Sequence, residues 1–76
     1  MQEDILIQIS NKIKETRKAK KKTVQELATE AQVSKGLISQ IENNRTVPSL
    51  PVLMNIVLAL SIDLKDFFED ISHNRE

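Results

Sequence analysis

Residues 23–42, TVQELATEAQVSKGLISQIE, decide the fold, because they predict two short helices joined by a tight turn. Thr23 and Glu26 have the T-x-x-E spacing of a capping box, the signal that begins a helix. An apolar stripe follows at i, i+3, i+4 and i+7, formed by Val24, Leu27, Ala28 and Ala31. Ser34 can cap a second helix of similar length. Two helices with so short a turn predict a helix-turn-helix, whose second helix enters a DNA major groove.

Length and composition limit the class of protein. The chain has 76 residues, no cysteine and enough hydrophobic residues (39%) for one small all-helical core. No apolar run approaches the roughly 18 residues of a transmembrane helix. Glu3 and Asp4 stand where a signal peptide would carry positive charge. We therefore expect a soluble, cytoplasmic protein without a membrane partner.

The charges are unevenly distributed, although the formal net charge is zero. Residues 12–22 contain seven lysines and arginines against one glutamate, whereas residues 61–76 contain five acids against two bases. The basic segment is either a solvated helix end, where cations are favoured, or a surface that contacts phosphates. Both interpretations stay open at this point.

The remaining periodicities predict an all-α protein, a compact bundle of five helices in a single domain spanning residues 1–76. The helices are expected at about 3–20, 23–31, 34–43, 49–60 and 63–71. Helix one should turn Ile5, Leu6, Ile9 and Ile13 inward; helix four should bury Leu50, Leu53, Ile56, Val57 and Leu60; the fifth should carry Leu64, Phe67, Phe68 and Ile71. Ser49 and Asp63 are the expected caps of the last two helices.

Helix four also has a second apolar stripe. Pro51, Met54 and Leu58 recur at i, i+3 and i+7, so this helix is apolar over most of its circumference. Such a helix is buried on two sides. The stripe is covered either within the chain, by residues 5–7 or by helix five, or by another protein.

The order of these motifs resembles the Cro/CI-type helix-turn-helix family of phage repressors and xenobiotic-response-element regulators of bacteria, which have a lambda-repressor-like fold. The resemblance runs from Ile9 to Phe68. It rests on I-x-x-x-I-x-x-x-R at 9–17, T-x-x-E-L-A at 23–28, V-S-x-x-x-I-S-x-I-E at 33–42, P-S-L at 48–50 and D-L-x-x-F-F at 63–68. It implies a transcriptional regulator, repressor-like, that binds double-stranded DNA in the bacterial cytoplasm as a homodimer on a palindromic operator.

The resemblance also implies roles for individual residues. Base contacts would come from Lys35, Gly36, Leu37, Ser39 and Gln40. Phosphate contacts would come from Arg17, Lys22, Thr23, Ser34, Asn43, Asn44, Arg45 and Thr46. The dimer interface would include Leu58, Ser61, Ile62, Leu64 and Phe68. Leu37 is equally consistent with partial burial, and Ser34 with capping alone. Arg17 is expected to form a partly exposed ion pair with Glu42, worth at most about 1 kcal/mol.

The chain departs from the family pattern around helix two. Lys21 and Lys22 replace a usual glycine and apolar residue before it, so Lys21 would have to adopt a left-handed backbone. Val24 replaces a glutamine that bonds a phosphate, a loss for which Lys22 would compensate. Gln32 stands at a turn position that is often glycine.

Other classes of function are weakly supported. The single histidine, His73, lies near the end of the chain, and no metal-ligand spacing or glycine-rich phosphate loop is present. We therefore expect that the protein is not an enzyme and that it binds no cofactor and no metal. No small-molecule effector site is evident. The alternative to DNA binding is a protein-interaction module of the same fold, such as an antitoxin or a coactivator domain.

Overall fold

The computed structural model describes the backbone of residues 2–73 and the side chains of residues 5–69 and 71. This part of the chain contains five α-helices and no strand. They are α1 (Gln2–Ala19), α2 (Val24–Ala31), α3 (Lys35–Glu42), α4 (Leu50–Ala59) and α5 (Leu64–His73). No helix among residues 2–73 combines the length and the apolarity needed to cross a membrane. The predicted all-α fold with a helix-turn-helix is confirmed.

One hydrophobic core holds α3 in place. α2 packs against α3 and α4, while α1 packs against α3 and α5, and α4 contacts α5. The largest fully buried side chains come from all five helices: Ile13, Leu27, Ile38, Ile41, Ile56, Val57, Leu60 and Phe67. α3 is therefore supported from its inner side by two helices, and its outer side faces solvent.

Local polar groups begin four of the helices. Glu26 N donates to Thr23 Oγ1 at 3.0 Å and Thr23 N donates to Glu26 Oε1 at 2.8 Å, so both bonds of the capping box are present. The Ser34 hydroxyl accepts the third N–H of α3 at 3.0 Å, and the Ser49 hydroxyl does the same for α4 at 3.4 Å. Asp63 accepts the second N–H of α5 at 3.1 Å. These bonds satisfy donors that a helix start leaves unpaired.

Four connections use left-handed residues that are not glycine. Lys21 (φ 59°), Gln32 (φ 63°), Asn44 (φ 62°) and Ser61 (φ 59°) each follow the end of a helix. Lys21, at the position where the family usually has a glycine, is thus left-handed. Such a conformation costs roughly 1 kcal/mol in a residue with a side chain, and asparagine tolerates it best. The only glycine of the chain, Gly36, lies within α3 instead.

One expectation about α4 is wrong, and of the two alternatives for its second stripe the structure removes one. Leu50 was expected in the core but is 64% exposed, because it is the first residue of α4 and lies at the rim where α4 approaches α5. The second stripe is not covered by the described part of the chain, since Met54 is 37% and Leu58 63% exposed. Pro51 is exposed as well. α4 therefore presents an apolar surface to the outside.

Candidate nucleic-acid interface

The outer face of α3 is polar and open. Gly36, Gln40 and Asn43 are exposed and follow one another at i, i+4 and i+7, so they lie on one side of the helix. Lys35 is exposed at the first position of α3, and Ser39 is half-buried. Ile38 and Ile41 occupy the opposite, fully buried side. Gln40 and Lys35, two of the five predicted base-contacting residues, thus have accessible side chains.

The packing of the described residues gives no reason for a glycine at position 36. A Cβ atom at this position would meet nothing within 4 Å, and its φ angle is not positive. Glycine inside a helix costs about 0.5–1 kcal/mol relative to alanine. Gly36 is the second residue of α3, and no contact of the described residues requires a glycine there, so the position is open to an approach from outside.

The position of Leu37 is compatible with both roles predicted for it. Its side chain is half-buried and packs against the core. It therefore contributes to the fold and still exposes part of its surface near the first turn of α3. Its contact with a thymine methyl group stays a prediction.

The ion pair between Arg17 and Glu42 clamps α1 to the end of α3. Arg17 Nε donates to Glu42 Oε2 at 2.7 Å and Arg17 Nη2 to Glu42 Oε1 at 3.0 Å, while Nη1 donates to the carbonyl oxygen of Lys22 at 2.8 Å. The two side chains are 11% and 4% exposed. The predicted ion pair is confirmed and is more buried than expected, and its bidentate geometry is stronger and more directional than that of a single contact.

Arg17 uses most of its hydrogen-bond donors within the protein. Three of the five N–H groups of a guanidinium are used within the protein. The hydrogen bonds that Arg17 donates to Glu42 raise the pKa of Arg17, although burial opposes this shift. Because the raised value lies in strongly alkaline solution, the stabilisation is fully present at lower pH and is lost only as the pH rises through it. The predicted phosphate contact of Arg17 would need the remaining donors.

Lys22 and Val24 both make contacts within the protein. Lys22 Nζ pairs with Glu30 of α2 at 2.9 Å in an exposed ion pair. A phosphate would have to exchange with this carboxylate, a small cost for an exposed pair. Val24 is half-buried and packs against the core, which explains an apolar residue at the start of α2.

The loop after α3 continues the polar surface. Asn43, Asn44 and Arg45 are exposed and Thr46 is half-buried. The loop is fixed at its start, because Arg45 N donates to the carbonyl oxygen of Gln40 at 2.8 Å. Thr23 and Ser34 are also exposed, but both hydroxyls already accept a helix N–H. The structure thus brings the loop next to the face of α3 that is predicted to contact bases, and gives the two hydroxyls a capping role.

The residues predicted for a dimer interface lie around the junction of α4 and α5. Leu58 (63%), Ser61 and Phe68 (39%) are exposed, whereas Ile62 and Leu64 are half-buried against the core. A neighbouring groove, which the sequence did not indicate, is lined in part by Leu50, Met54, Lys65 and Glu69. The apolar circumference of α4 was the signal for Met54; nothing local indicated Leu50. Among the described residues, no group of histidines or carboxylates is placed to hold a metal ion.

Comparisons with known proteins agree with this geometry. Residues 13–67 match the model of the helix-turn-helix family. The chain belongs to the Cro/CI-type helix-turn-helix family. It is also similar to the crystal structure of a tyrosine-to-alanine mutant of the restriction-modification controller protein C.Esp1396I, with 29% identity and a TM-score of 0.86. That match covers 90% of this chain and 88% of the other. A comparison with curated proteins found no match.

The two matches confirm three predictions made from the motifs. The family and the lambda-repressor-like fold are as expected, and the chain is a DNA-binding regulator of transcription. The match includes all of α2, α3 and α4, together with the clamp residues Arg17 and Glu42. The surface formed by α3 and the loop after it is accordingly the candidate DNA interface.

Proposed function

We propose that this protein binds double-stranded DNA sequence-specifically and represses transcription, with α3 in the major groove and two copies on a palindromic operator. The observation that carries the proposal is the open glycine, Gly36, beside Gln40 on the outer face of a clamped helix. A small residue there lets the helix backbone approach the base edges. The likeness to a restriction-modification controller protein supports a regulatory role.

Specificity is assigned to the side chains of α3. Gln40 has the amide geometry that pairs with both groups on an adenine edge, and Lys35 can donate to guanine. Ser39 can contact either kind of base, and the exposed part of Leu37 can pack on a thymine methyl group. Gly36 contributes close approach rather than a base contact of its own.

Register on the DNA is assigned to the surrounding donors. Asn43, Asn44, Arg45 and Thr46 would bond phosphates on one side, together with the N-termini of α2 and α3 near Thr23 and Ser34. Lys22 would exchange Glu30 for a phosphate, and Arg17 would act mainly by holding α1 against α3. Two copies that meet through Leu58, Ser61, Ile62, Leu64 and Phe68 would place two α3 helices in successive turns of the groove, about 34–36 Å apart.

The test is selection of binding sites from a randomised duplex pool at two salt concentrations, with Gln40→Ala and Arg45→Ala as matched variants. The wild-type protein should enrich a palindrome. Gln40→Ala should lose about 1–3 kcal/mol and relax the preference at one position, because it removes a base contact. Arg45→Ala should weaken binding to all sequences alike and lower the salt slope by about 1, because it removes a phosphate contact.

Two results would contradict parts of this assignment. An unchanged sequence preference in Gln40→Ala would mean that another face contacts the bases. Weak binding without any enriched sequence would mean that only the non-specific electrostatic interaction exists. The second candidate, a protein-interaction module such as an antitoxin or coactivator domain, would then be favoured by the exposed apolar residues of α4. Catalysis and a small-molecule effector are not part of the proposal.

A further inference from the structure

A lysine and a glutamate form an exposed ion pair along the side of α2. Lys22 Nζ lies 2.9 Å from Glu30 Oε1 and 3.0 Å from Glu30 Oε2, so one ammonium group contacts both carboxylate oxygens. The two side chains are 25% and 44% exposed. The start of α2 does not depend on this pair, because Thr23 and Glu26 form the capping box. Both charges are therefore accessible to a partner from outside.

The backbone of Lys22 is fixed by Arg17. Lys22 N donates to the carbonyl oxygen of Arg17 at 3.1 Å, and the carbonyl oxygen of Lys22 accepts from Arg17 Nη1 at 2.8 Å. The anchored residue directly precedes Thr23, the N-cap of α2. Helix N-termini attract phosphate groups through their N–H groups and the helix macrodipole. Lys22 is thus held next to the end of α2 at which a DNA phosphate would lie.

Glu30 holds the ammonium group of Lys22 along α2, away from that end. It lies in the last turn of the helix, six residues or about 9 Å along the axis after Val24, the first residue. The macrodipole disfavours a carboxylate at this end of a helix, so the position of Glu30 is not explained by the stability of α2. An exposed ion pair is weak, and a phosphate oxygen offers the ammonium group a charge-assisted contact of the same kind. The carboxylate and DNA are therefore alternative partners of one lysine.

We propose that Glu30 competes with DNA phosphate for Lys22 and thereby restrains the sequence-independent part of the affinity. The inference rests on the DNA binding proposed above, and it gives a role to Glu30, a residue that contacts neither bases nor phosphates there. Lys22 is paired with Glu30 in the free protein and has to leave it to contact DNA, so the broken pair offsets part of the new contact. Because every sequence carries phosphates, the restraint acts equally on an operator and on random DNA.

The test is a double-mutant cycle of Glu30→Gln and Lys22→Gln, measured by fluorescence anisotropy on the selected operator and on a duplex of random sequence. Glu30→Gln keeps the size of the side chain and releases the lysine, so both affinities should rise about threefold. The salt slope should steepen by up to about 0.9, the value for one phosphate. In the Lys22→Gln background, Glu30→Gln should change neither affinity by more than about 1.5-fold, because the lysine is absent. Titrations near 0.15 M salt screen charges that lie more than about 8 Å apart.

Asp66→Asn is the matched control, since it changes the net charge by the same amount at an exposed position on α5 and should leave the affinity for the random duplex unchanged. Thermal unfolding verifies that each variant is folded. An equal gain from Glu30→Gln in both backgrounds would mean that the carboxylate repels DNA directly, and no gain in either would mean that it does not compete. Each result would overturn the role of Glu30 and leave sequence-specific binding in place. A wild-type protein that binds neither duplex would overturn this inference together with the proposed function.

Discussion

The clamp between Arg17 and Glu42 makes a strong prediction at the scale of single residues. Arg17→Met removes one partner of a nearly buried ion pair and leaves the Glu42 carboxylate uncompensated in the protein. Breaking such a pair costs about 3–5 kcal/mol, whereas an exposed pair is worth at most about 1 kcal/mol. We expect a loss of about 3 kcal/mol in the free energy of unfolding, measured by urea denaturation.

Two companion variants separate the buried charge from other effects of the substitution. Lys18→Met, at an exposed neighbouring position, should change stability by less than about 0.5 kcal/mol. Arg17→Met combined with Glu42→Leu removes both charges and should recover most of the loss, because no unpaired charge remains. A cost below about 1 kcal/mol for Arg17→Met alone would mean that the pair behaves as a surface pair in solution.

The pairing of these two residues could be predicted, but their burial could not. The motif positions of Arg17 and Glu42 were sufficient to pair them, because the family pattern specifies both. Their exposure depends on the angle at which α1 crosses α3, and on the carbonyl of Lys22 that completes the site. Neither is a local property of the sequence. The prediction that Leu50 is buried was wrong for the same reason, because its position in the helical period resembles that of a core residue.

At the scale of helices, the starts were predictable because their signals are local. Thr23 with Glu26, Ser34, Ser49 and Asp63 were each recognised as caps, and each accepts the expected N–H. The helix ends were less predictable. Asn44 is a residue that tolerates the left-handed backbone, but Ser61 carries no such signal and adopts it because α5 must turn back onto α4.

Ser34 allows its capping and phosphate-binding roles to be separated. Ser34→Ala should reduce stability by about 1 kcal/mol, because it removes the acceptor for the third N–H of α3. Ser34→Asp should retain stability, since aspartate caps a helix as well as serine does. If the residue also lies beside a phosphate, Ser34→Asp should still weaken DNA binding through like-charge repulsion. Thermal unfolding and fluorescence anisotropy on a selected duplex measure the two effects.

The comparison between the two Ser34 variants determines the assignment. DNA affinity that follows stability, lower in Ser34→Ala and unchanged in Ser34→Asp, would show that the residue only caps α3. Affinity that falls in the aspartate variant while stability is kept would place a phosphate near the start of α3.

At the scale of the whole molecule, the sequence could predict an excess of apolar surface on α4 but not what covers that surface. Burial within the chain and burial in an interface have the same periodicity, and only the positions of the other helices distinguish them. The structure leaves Met54 and Leu58 exposed, so burial within the described chain is ruled out. The uneven charge is a property of the same scale: the basic segment at residues 12–22 includes Arg17 and Lys22, whose charges are paired with carboxylates within the protein.

Leu58→Asn tests whether the exposed side of α4 serves the dimer. Because Leu58 is 63% exposed, the substitution should change stability by less than about 0.5 kcal/mol. If Leu58 lies in the interface, sedimentation should show a weaker dimer. Affinity for an operator with two half-sites should then fall about a hundredfold, because the copy at the second half-site is no longer joined to the copy at the first. Affinity for a single half-site should be unchanged. Ile7→Asn, at another exposed apolar position, should leave the sedimentation of the dimer unchanged. A loss of affinity by Leu58→Asn that is equally large on the single half-site would assign Leu58 to DNA binding instead.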